Sequence, residues 1–242
     1  MIPLKEIIDL LCGAEFFNMH FVDMETHELV VSKVPMLVQS INLGVLDLHK
    51  RFTLKTGHAK INLTKGQFRY NLRPQYQVGT KGNEDKYIVE GDKLYPRSVL
   101  KIEKVFDECE IELPLRGPGY RNNVSTPEND SILLPKNYFD GDENRTFITV
   151  EYRRTGDPLR ICNDDLDNWT CLKVDLPYTH QQALLYFVAN RHHKPTGFSE
   201  NSARETINYG QAYEDECRNL DQLNLRVDDV GTDDMIRRGG WA

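Results

Sequence analysis

The chain has 242 residues, 39% hydrophobic, 10% aromatic and 28% charged, with 30 basic against 37 acidic side chains for a net charge of −7. That length suits one or two domains, and the aromatic content is too high for a wholly disordered chain. The longest apolar run, residues 183–189, is far short of the ~20 residues of a membrane span, and the opening Met1-Ile2-Pro3-Leu4-Lys5-Glu6 has neither the basic start nor the apolar stretch of a signal peptide, so membrane, secreted and fibrous classes are set aside.

In chain order, Pro3 suits a first helical turn, and Leu4, Ile7, Ile8 and Leu11 at i, i+3, i+4, i+7 predict a short helix over 3–12, with Gly13 to stop it. Val34, Val38, Ile41, Val45, Leu48 and Phe52 recur at spacings of four and three, which predicts a second helix from about Lys33 to Arg51 with one continuous apolar seam. The period then becomes two. Ala59, Ile61 and Leu63, then Phe68, Tyr70 and Leu72, alternate with polar residues around Thr64-Lys65-Gly66-Gln67, which predicts a β-hairpin. Residues 77–85 read as a loop. Further strands are predicted at 98–106, 110–115, 131–134, 146–153, 158–162 and 170–176, and the Gly, Pro, Asn and Ser of 116–130 predict an exposed loop.

Helical signals return after Pro177. Ala183, Leu184, Phe187, Val188 and Arg191 mark a helix ending near Lys194-Pro195. Ser202-Ala203-Arg204-Glu205 has the form of a capping box for another helix running to about Leu225, with Ile207, Tyr213, Cys217, Leu220 and Leu223 as its expected buried side. Charge concentrates here. Residues 200–234 hold ten acids and three bases, which equals the net charge of the whole chain and is the reverse of a DNA-coating footprint. An acidic linker, 228–234, precedes the ending Met235-Ile236-Arg237-Arg238-Gly239-Gly240-Trp241-Ala242. Helices at both ends around a block of strands predict an α+β fold: terminal helices packed as a small bundle, with a sandwich- or barrel-like β block inserted.

Signatures of chemistry are sparse. There is no Walker loop, dinucleotide glycine fingerprint, Gly-x-Ser-x-Gly elbow or His-Glu-x-x-His, and no cofactor is expected. Cys12, Cys109, Cys162, Cys171 and Cys217 are odd in number and scattered, with no Cys-x-x-Cys pair, so free thiols in a reducing, intracellular setting are expected. His192 and His193 are adjacent, which does not put both on one face of a helix for a metal. Asp140, Asp142 and Asn144 with Glu151 imitate a calcium loop, but Arg145 stands where the glycine should be and a strand follows, so a polar turn is expected. Asp164, Asp165 and Asp167 also read as a solvated turn, with a hydrolase as the reading they would otherwise serve. Asn-x-Ser/Thr triplets at Asn62, Asn123, Asn129, Asn144 and Asn168 are compositional without a secretory signal.

The order of parts resembles the head-to-tail adaptor (connector, tail tubular protein A-like) proteins of short-tailed bacteriophages. The features that carry the resemblance are the N-terminal helix pair before Phe52…Ile61-x-Leu63…Tyr70-x-Leu72 and the phrase Val174-Asp175-Leu176-Pro177 leading to Ala183-Leu184 and Ala189-x-Arg191. A corner at 194–197, the stretch from Tyr209-x-x-x-Tyr213-Glu214 through Leu220 to Asn224-Leu225, and the basic, glycine-containing end with Trp241 complete it. These cover about the first seventy and last sixty-five residues; the β block between them carries no matching signature.

The resemblance implies a non-enzymatic virion protein at the head–tail junction, made in the host cytoplasm. It implies a homo-oligomeric ring of usually twelve copies beneath the portal protein, with a tail nozzle or tail fibre protein docked below. Genome DNA would pass through the lumen without sequence-specific binding, and no membrane is involved. The organisation expected is N-terminal helices over 1–52, an inserted β domain over 53–176, C-terminal helices over 177–227, and an acidic linker and docking tail over 228–242. The resemblance assigns portal contact to the tail, where Met235, Ile236, Arg237, Arg238 and Trp241 are the candidates, Trp and Arg being the commonest interface anchors. Glu214, Asp215, Glu216 and Asp221 are candidate channel-facing acids, which would repel DNA phosphates. The rival is a β-sandwich binding module or minor tail component for carbohydrate or another tail protein, favoured if Tyr76, Tyr87, Tyr95, Tyr120 and Tyr138 are exposed.

Overall fold

Among the described residues the apolar spacings give four α-helices. A computed structural model describes residues 1–16, 21–23, 29–80, 85–96, 98–115, 123–139, 145–161, 166–193 and 200–223. Helix α1 (Leu4–Leu10) starts directly after Pro3 and runs on as a π-turn, Leu11–Glu15; Leu4, Ile7, Ile8 and Leu11 are all buried. Helix α2 (Val34–Arg51) enters through a 3-10 turn at Val31–Lys33, with Pro35 in its first turn where a missing N–H costs nothing. His49, Lys50 and Arg51 occupy its last turn, and the chain turns extended at Phe52. All six residues of the predicted seam are buried. Helix α3 (Gln181–His192) follows a 3-10 turn at Tyr178–His180, and α4 is Glu200–Gln222.

Helix α3 is the hub, packed against α1, α2 and α4. Gly44 is what lets α2 approach it: a Cβ there would lie 2.6 Å from Leu184 Cδ1 and 2.9 Å from Phe187 Cδ1. A two-stranded ribbon of β1 (Ile2–Pro3) and β10 (Lys173–Val174) ties the N-terminus to the segment leading into α3.

The remaining strands are β2 (Thr56–Asn62), β3 (Arg69–Asn71), β4 (Ile88–Gly91), β5 (Val99–Phe106), β6 (Glu112–Leu113), β7 (Ser125–Glu128), β8 (Ser131–Leu133) and β9 (Phe147–Arg154). They form an antiparallel five-stranded sheet ordered β4-β2-β9-β5-β6 and a three-stranded sheet ordered β3-β8-β7. Central β9 alternates perfectly, with Ile148, Val150, Tyr152 and Arg154 inward. The inward side chains of both sheets share one cluster, including Ile61, Tyr70, Ile132 and Val150, which makes the β block a sandwich and the chain α+β. A second cluster, helical, gathers residues from 2–52 and 174–220.

Several local expectations are corrected. The predicted hairpin does not form: β2 pairs with β4 and β9, and β3 with β8, so the two strands lie in different sheets. Their alternation is real, since Ala59, Ile61, Tyr70 and Leu72 are buried, but alternation sets faces, not partners. Residues 158–161 are not strand, and most of 170–176 is not either; a 3-10 turn (Leu166–Cys171) precedes the two-residue β10. The expected loop of 116–130 contains β7, and β4 was hidden behind the polar 77–85 stretch. Helix α4 starts at Glu200, two residues before the Ser202 that the capping box would place at its N-cap. Tyr213, Cys217 and Leu220 are buried as expected, but Leu223 is 67% exposed because it falls just past the helix end.

Candidate assembly surfaces

The outward side of α2 is unusual in its chemistry. Thirteen residues, 34–46, carry no charge. The seam takes the inward ones, which leaves Pro35, Gln39, Met36 (39% exposed) and Leu43 (38% exposed) on the surface, continuing from Val31 at 44%. Beside them opens a groove of about 680 Å³, walled on one side by Pro35, Gln39, Leu43 and Leu46 and on the other by Tyr95, Pro96 and residues 155–161. Asn42 fixes the groove floor by a reciprocal pair of bonds: its Nδ2 donates to the Leu159 carbonyl at 2.9 Å, and the Leu159 N–H donates to its Oδ1 at 2.8 Å. An exposed helix face that is apolar and uncharged suits a protein neighbour better than a charged small ligand.

The acids of α4 divide. Glu214 is committed within the chain: Arg51 from α2 grips it with two parallel bonds of 2.8 and 2.9 Å, and this holds the Glu214 carboxyl below its ordinary range. Tyr213 beside it donates to Asp47 Oδ2 at 2.5 Å; burial first, and that bond second, push its phenol well up. Asp215 accepts from Gln211 and Arg218 on its own helix. Asp215 and Asp221 are exposed and Glu216 half-buried, so these three present acid to the outside of α4. The tail candidates Met235, Ile236, Arg237, Arg238 and Trp241 lie outside the described residues.

Between the helical and sandwich cores lies a polar joint. The His49 and His180 rings are each 1% exposed. His49 Nε2 is 3.0 Å from the Asp175 carbonyl, and His180 Nδ1 is 2.9 Å from Thr179 Oγ1 with its ring edge-on to Phe52. Burial lowers both histidine pKa values, that of His180 to about 4. Lys55 bridges Asp157 and Asp175, and Arg154 pairs with Asp157 at 2.8 Å. Burial alone would raise the Asp175 carboxyl, but bonds from Lys55 and the Asp157 N–H outweigh it and leave it below the ordinary value.

The other sequence candidates disperse. Asp164 and Asp165 lie outside the described residues, as do Asp140, Asp142 and Asn144; of Asp167 only its place in the 3-10 turn is described. Glu151 stands on β9 opposite His58. His192 bonds Ser40 Oγ at 2.9 Å and packs on Phe16 and Phe21, while His193 lies against Tyr209. Among the described residues no group of three His, Cys, Asp or Glu is placed to hold a metal, no helix is long and apolar enough to cross a membrane, and Cys12, Cys109, Cys171 and Cys217 are free thiols.

None of the described tyrosines whose exposure would favour the rival binding module is exposed. Tyr87 and Tyr138 are in the core, and Tyr76 and Tyr95 are half-buried, Tyr76 stacked on Tyr87 with centroids 4.8 Å apart; Tyr120 lies outside the described residues. The groove and the joint went unnoticed in the sequence. The uncharged stretch 34–46 was a visible signal for the first, and nothing local pointed to the second, which joins residues more than a hundred apart. Compared with known proteins, the chain matches no family model and no curated protein.

Proposed function

We propose that this chain is a non-enzymatic structural protein of a virion, a head-to-tail adaptor whose copies form a closed ring between portal and tail and line the DNA channel. The observation that carries the reading is the uncharged outward face of α2 with its adjoining groove. A subunit in a ring needs a patch that meets a different patch on the next copy, and such interfaces are apolar at their centre with charge kept to the rim. The α2 face has that composition, and the acids Asp215, Glu216 and Asp221 sit apart from it on α4. In the ring, an acidic surface turned to the lumen lets DNA slide without adhering. The resemblance in the order of parts adds the portal above and a tail nozzle or fibre protein below, with the tail from Met235 to Trp241 as the portal anchor. Burial of Tyr87 and Tyr138, two of the five tyrosines whose exposure would favour a carbohydrate-binding sandwich, supports this reading over that one.

The test is mass by light scattering together with negative-stain images, on the chain alone and mixed with portal. Rings seated on portal are expected, and deletion of residues 235–242 is expected to weaken co-sedimentation with portal while leaving the melting temperature unchanged. A chain that stays monomeric in both settings, or a truncation that binds portal as tightly as the full chain, counts against the reading.

A further inference from the structure

The groove beside α2 lies between the two cores, so its width follows the angle between them. One wall is α2, through Pro35, Gln39 and Leu43; the other includes Tyr95, Pro96 and Ser98, from the connection between β4 and β5. The two cores share no apolar side chain, and among the described residues no α-helix lies along a strand of either sheet of the sandwich. The chain passes from one core to the other twice, outward between α2 and β2 and back after β9.

Charge spans this joint. Five side chains of alternating sign, Asp92, Arg154, Asp157, Lys55 and Asp175, run across it in series. Arg154, the last residue of β9, reaches Asp92 at 3.7 Å and Asp157 at 2.8 Å. Lys55 belongs to the sandwich by its backbone, because its carbonyl accepts the Arg154 N–H at 3.0 Å and so extends the β2–β9 ladder. Its ammonium reaches Asp157 at 3.5 Å and also Asp175. Asp175 belongs to the helical body: Val174 and Leu176 on either side of it are in the helical core, and its carbonyl lies 3.0 Å from His49 Nε2 of α2. Asp157 grips both sides, with its carboxylate on Arg154 and Lys55 and its N–H on Asp175 Oδ2 at 3.1 Å. The side chains of Arg154, Lys55 and Asp175 are only 7%, 25% and 15% exposed, so salt screens them less than a surface pair.

We propose that this series is a positioning device: it locks the sandwich to the helical body at one angle and so holds the α2 groove in the shape into which a neighbouring copy docks. The identity of the occupant rests on the ring reading; the lock itself does not. With Lys55 removed, the carboxylates of Asp157 and Asp175 face each other across the joint without the cation between them, and their repulsion favours opening. With the series whole, the groove is shaped before it is filled, and a site that loses less freedom on binding docks more tightly. Neither Lys55 nor Arg154 lines the groove, so an effect of either on docking passes through the groove's shape.

The experiment pairs hydrogen exchange at single amides with light scattering, on the full chain and on its Lys55→Met and Arg154→Met variants, which keep an apolar stem and lose the charge. The reporter is the Leu159 N–H, which donates to Asn42 of α2 and is bonded to neither substituted side chain. Residues 148–152 of β9 and 37–45 of α2 are the controls. Loss of charge-assisted bonds predicts about a tenfold or greater fall in protection at Leu159 in both variants, with little change at the controls. The concentration at which rings assemble should rise in step. Unchanged protection at Leu159 overturns the lock, and so does a loss shared equally by the controls in both variants; where one variant fails to fold, the other decides. Lost protection with rings forming at the wild-type concentration overturns the role in docking. A wild type that forms no ring counts against the ring reading instead, and the lock is then judged by Leu159 alone.

Discussion

The helical core and the sandwich core are assembled differently. The helical core is drawn from both ends of the chain, and its aromatics are mainly phenylalanines, Phe16, Phe21 and Phe52, set among fully buried aliphatic side chains such as Ile2, Leu4, Leu37, Ile41 and Leu184. The sandwich core comes from one continuous stretch, 59–152, and leans on tyrosines, Tyr70, Tyr87, Tyr138 and Tyr152. Its rim is laced with ion pairs such as Arg73 to Asp130 at 2.8 Å and to Glu128 at 2.9 Å. The exposed large apolar side chains of the sandwich, Val78, Ile111 and Leu133, sit on separate segments of the β block, whereas Met36 and Leu43 share one helix. The helical core does not finish its own covering, because the outward side of α2 stays apolar. Under the proposed ring, the helical body is the part expected to associate and the sandwich the part expected to stand alone.

The sharpest way to break that comparison is to charge the helical seam. Leu48→Asp buries an unpaired carboxylate among aliphatic neighbours and is expected to cost about 4 kcal/mol or more, enough to unfold the body. If the sandwich is self-sufficient, strand-dominated circular dichroism and protection of β9 should survive. Native-like melting would instead show that the seam tolerates charge and is not core.

Next in size is the close approach of α2 and α3. Gly44→Ala drives a methyl into Leu184 and Phe187 and is expected to destabilise by about 1–3 kcal/mol, since packed cores resist added volume. The gain in helix propensity from Gly to Ala, roughly 1 kcal/mol, works against this, so a net loss in denaturant titration means the steric term dominates. A neutral or stabilised variant would mean that α2 and α3 can part at little cost.

Smaller again is the tyrosine strategy of the sandwich. Tyr70 OH accepts from the Thr64 N–H at 2.9 Å and donates to the Gln67 carbonyl at 3.1 Å, which pins the turn after β2. Tyr70→Phe keeps the ring and removes both bonds, with an expected loss of about 1–2 kcal/mol. Exchange should rise at Thr64 and its turn and stay unchanged in α2 and α3. A loss spread over the helices would mean that the two cores are one cooperative unit.

How much of this was legible in the sequence divides along the same line. The α2 seam could be read directly, because a spacing of four and three over nineteen residues leaves no other period to fit. The inward faces of β2 and β9 were equally readable. Their pairing was not, because β2 finds β9 some ninety residues later and local turn residues say nothing of that. The acids of α4 were visible as charge, but only the fold reveals that Glu214 is spent on Arg51 while Asp215 and Asp221 are exposed. The groove exists only because segment 155–161 lies back against α2, held there by Asn42, an arrangement no spacing encodes.

The smallest expected effect on stability is the most telling for function. Leu43 is exposed on α2 and lines the groove, so Leu43→Lys removes no core contact. The change should alter folding stability by less than about 0.5 kcal/mol, as surface substitutions usually do. At an interface between copies the same lysine would have to surrender its hydration within an apolar patch, at a cost of several kcal/mol per contact repeated around the ring. Light scattering should then report a loss of assembly while thermal melting barely moves, and Leu133→Lys, exposed to the same degree on the sandwich, should leave assembly intact. Equal loss in both variants would assign association to the sandwich as well. No loss in either would leave the outward face of α2 as mere exposed apolar surface, and the contrast between the two cores would then concern folding alone.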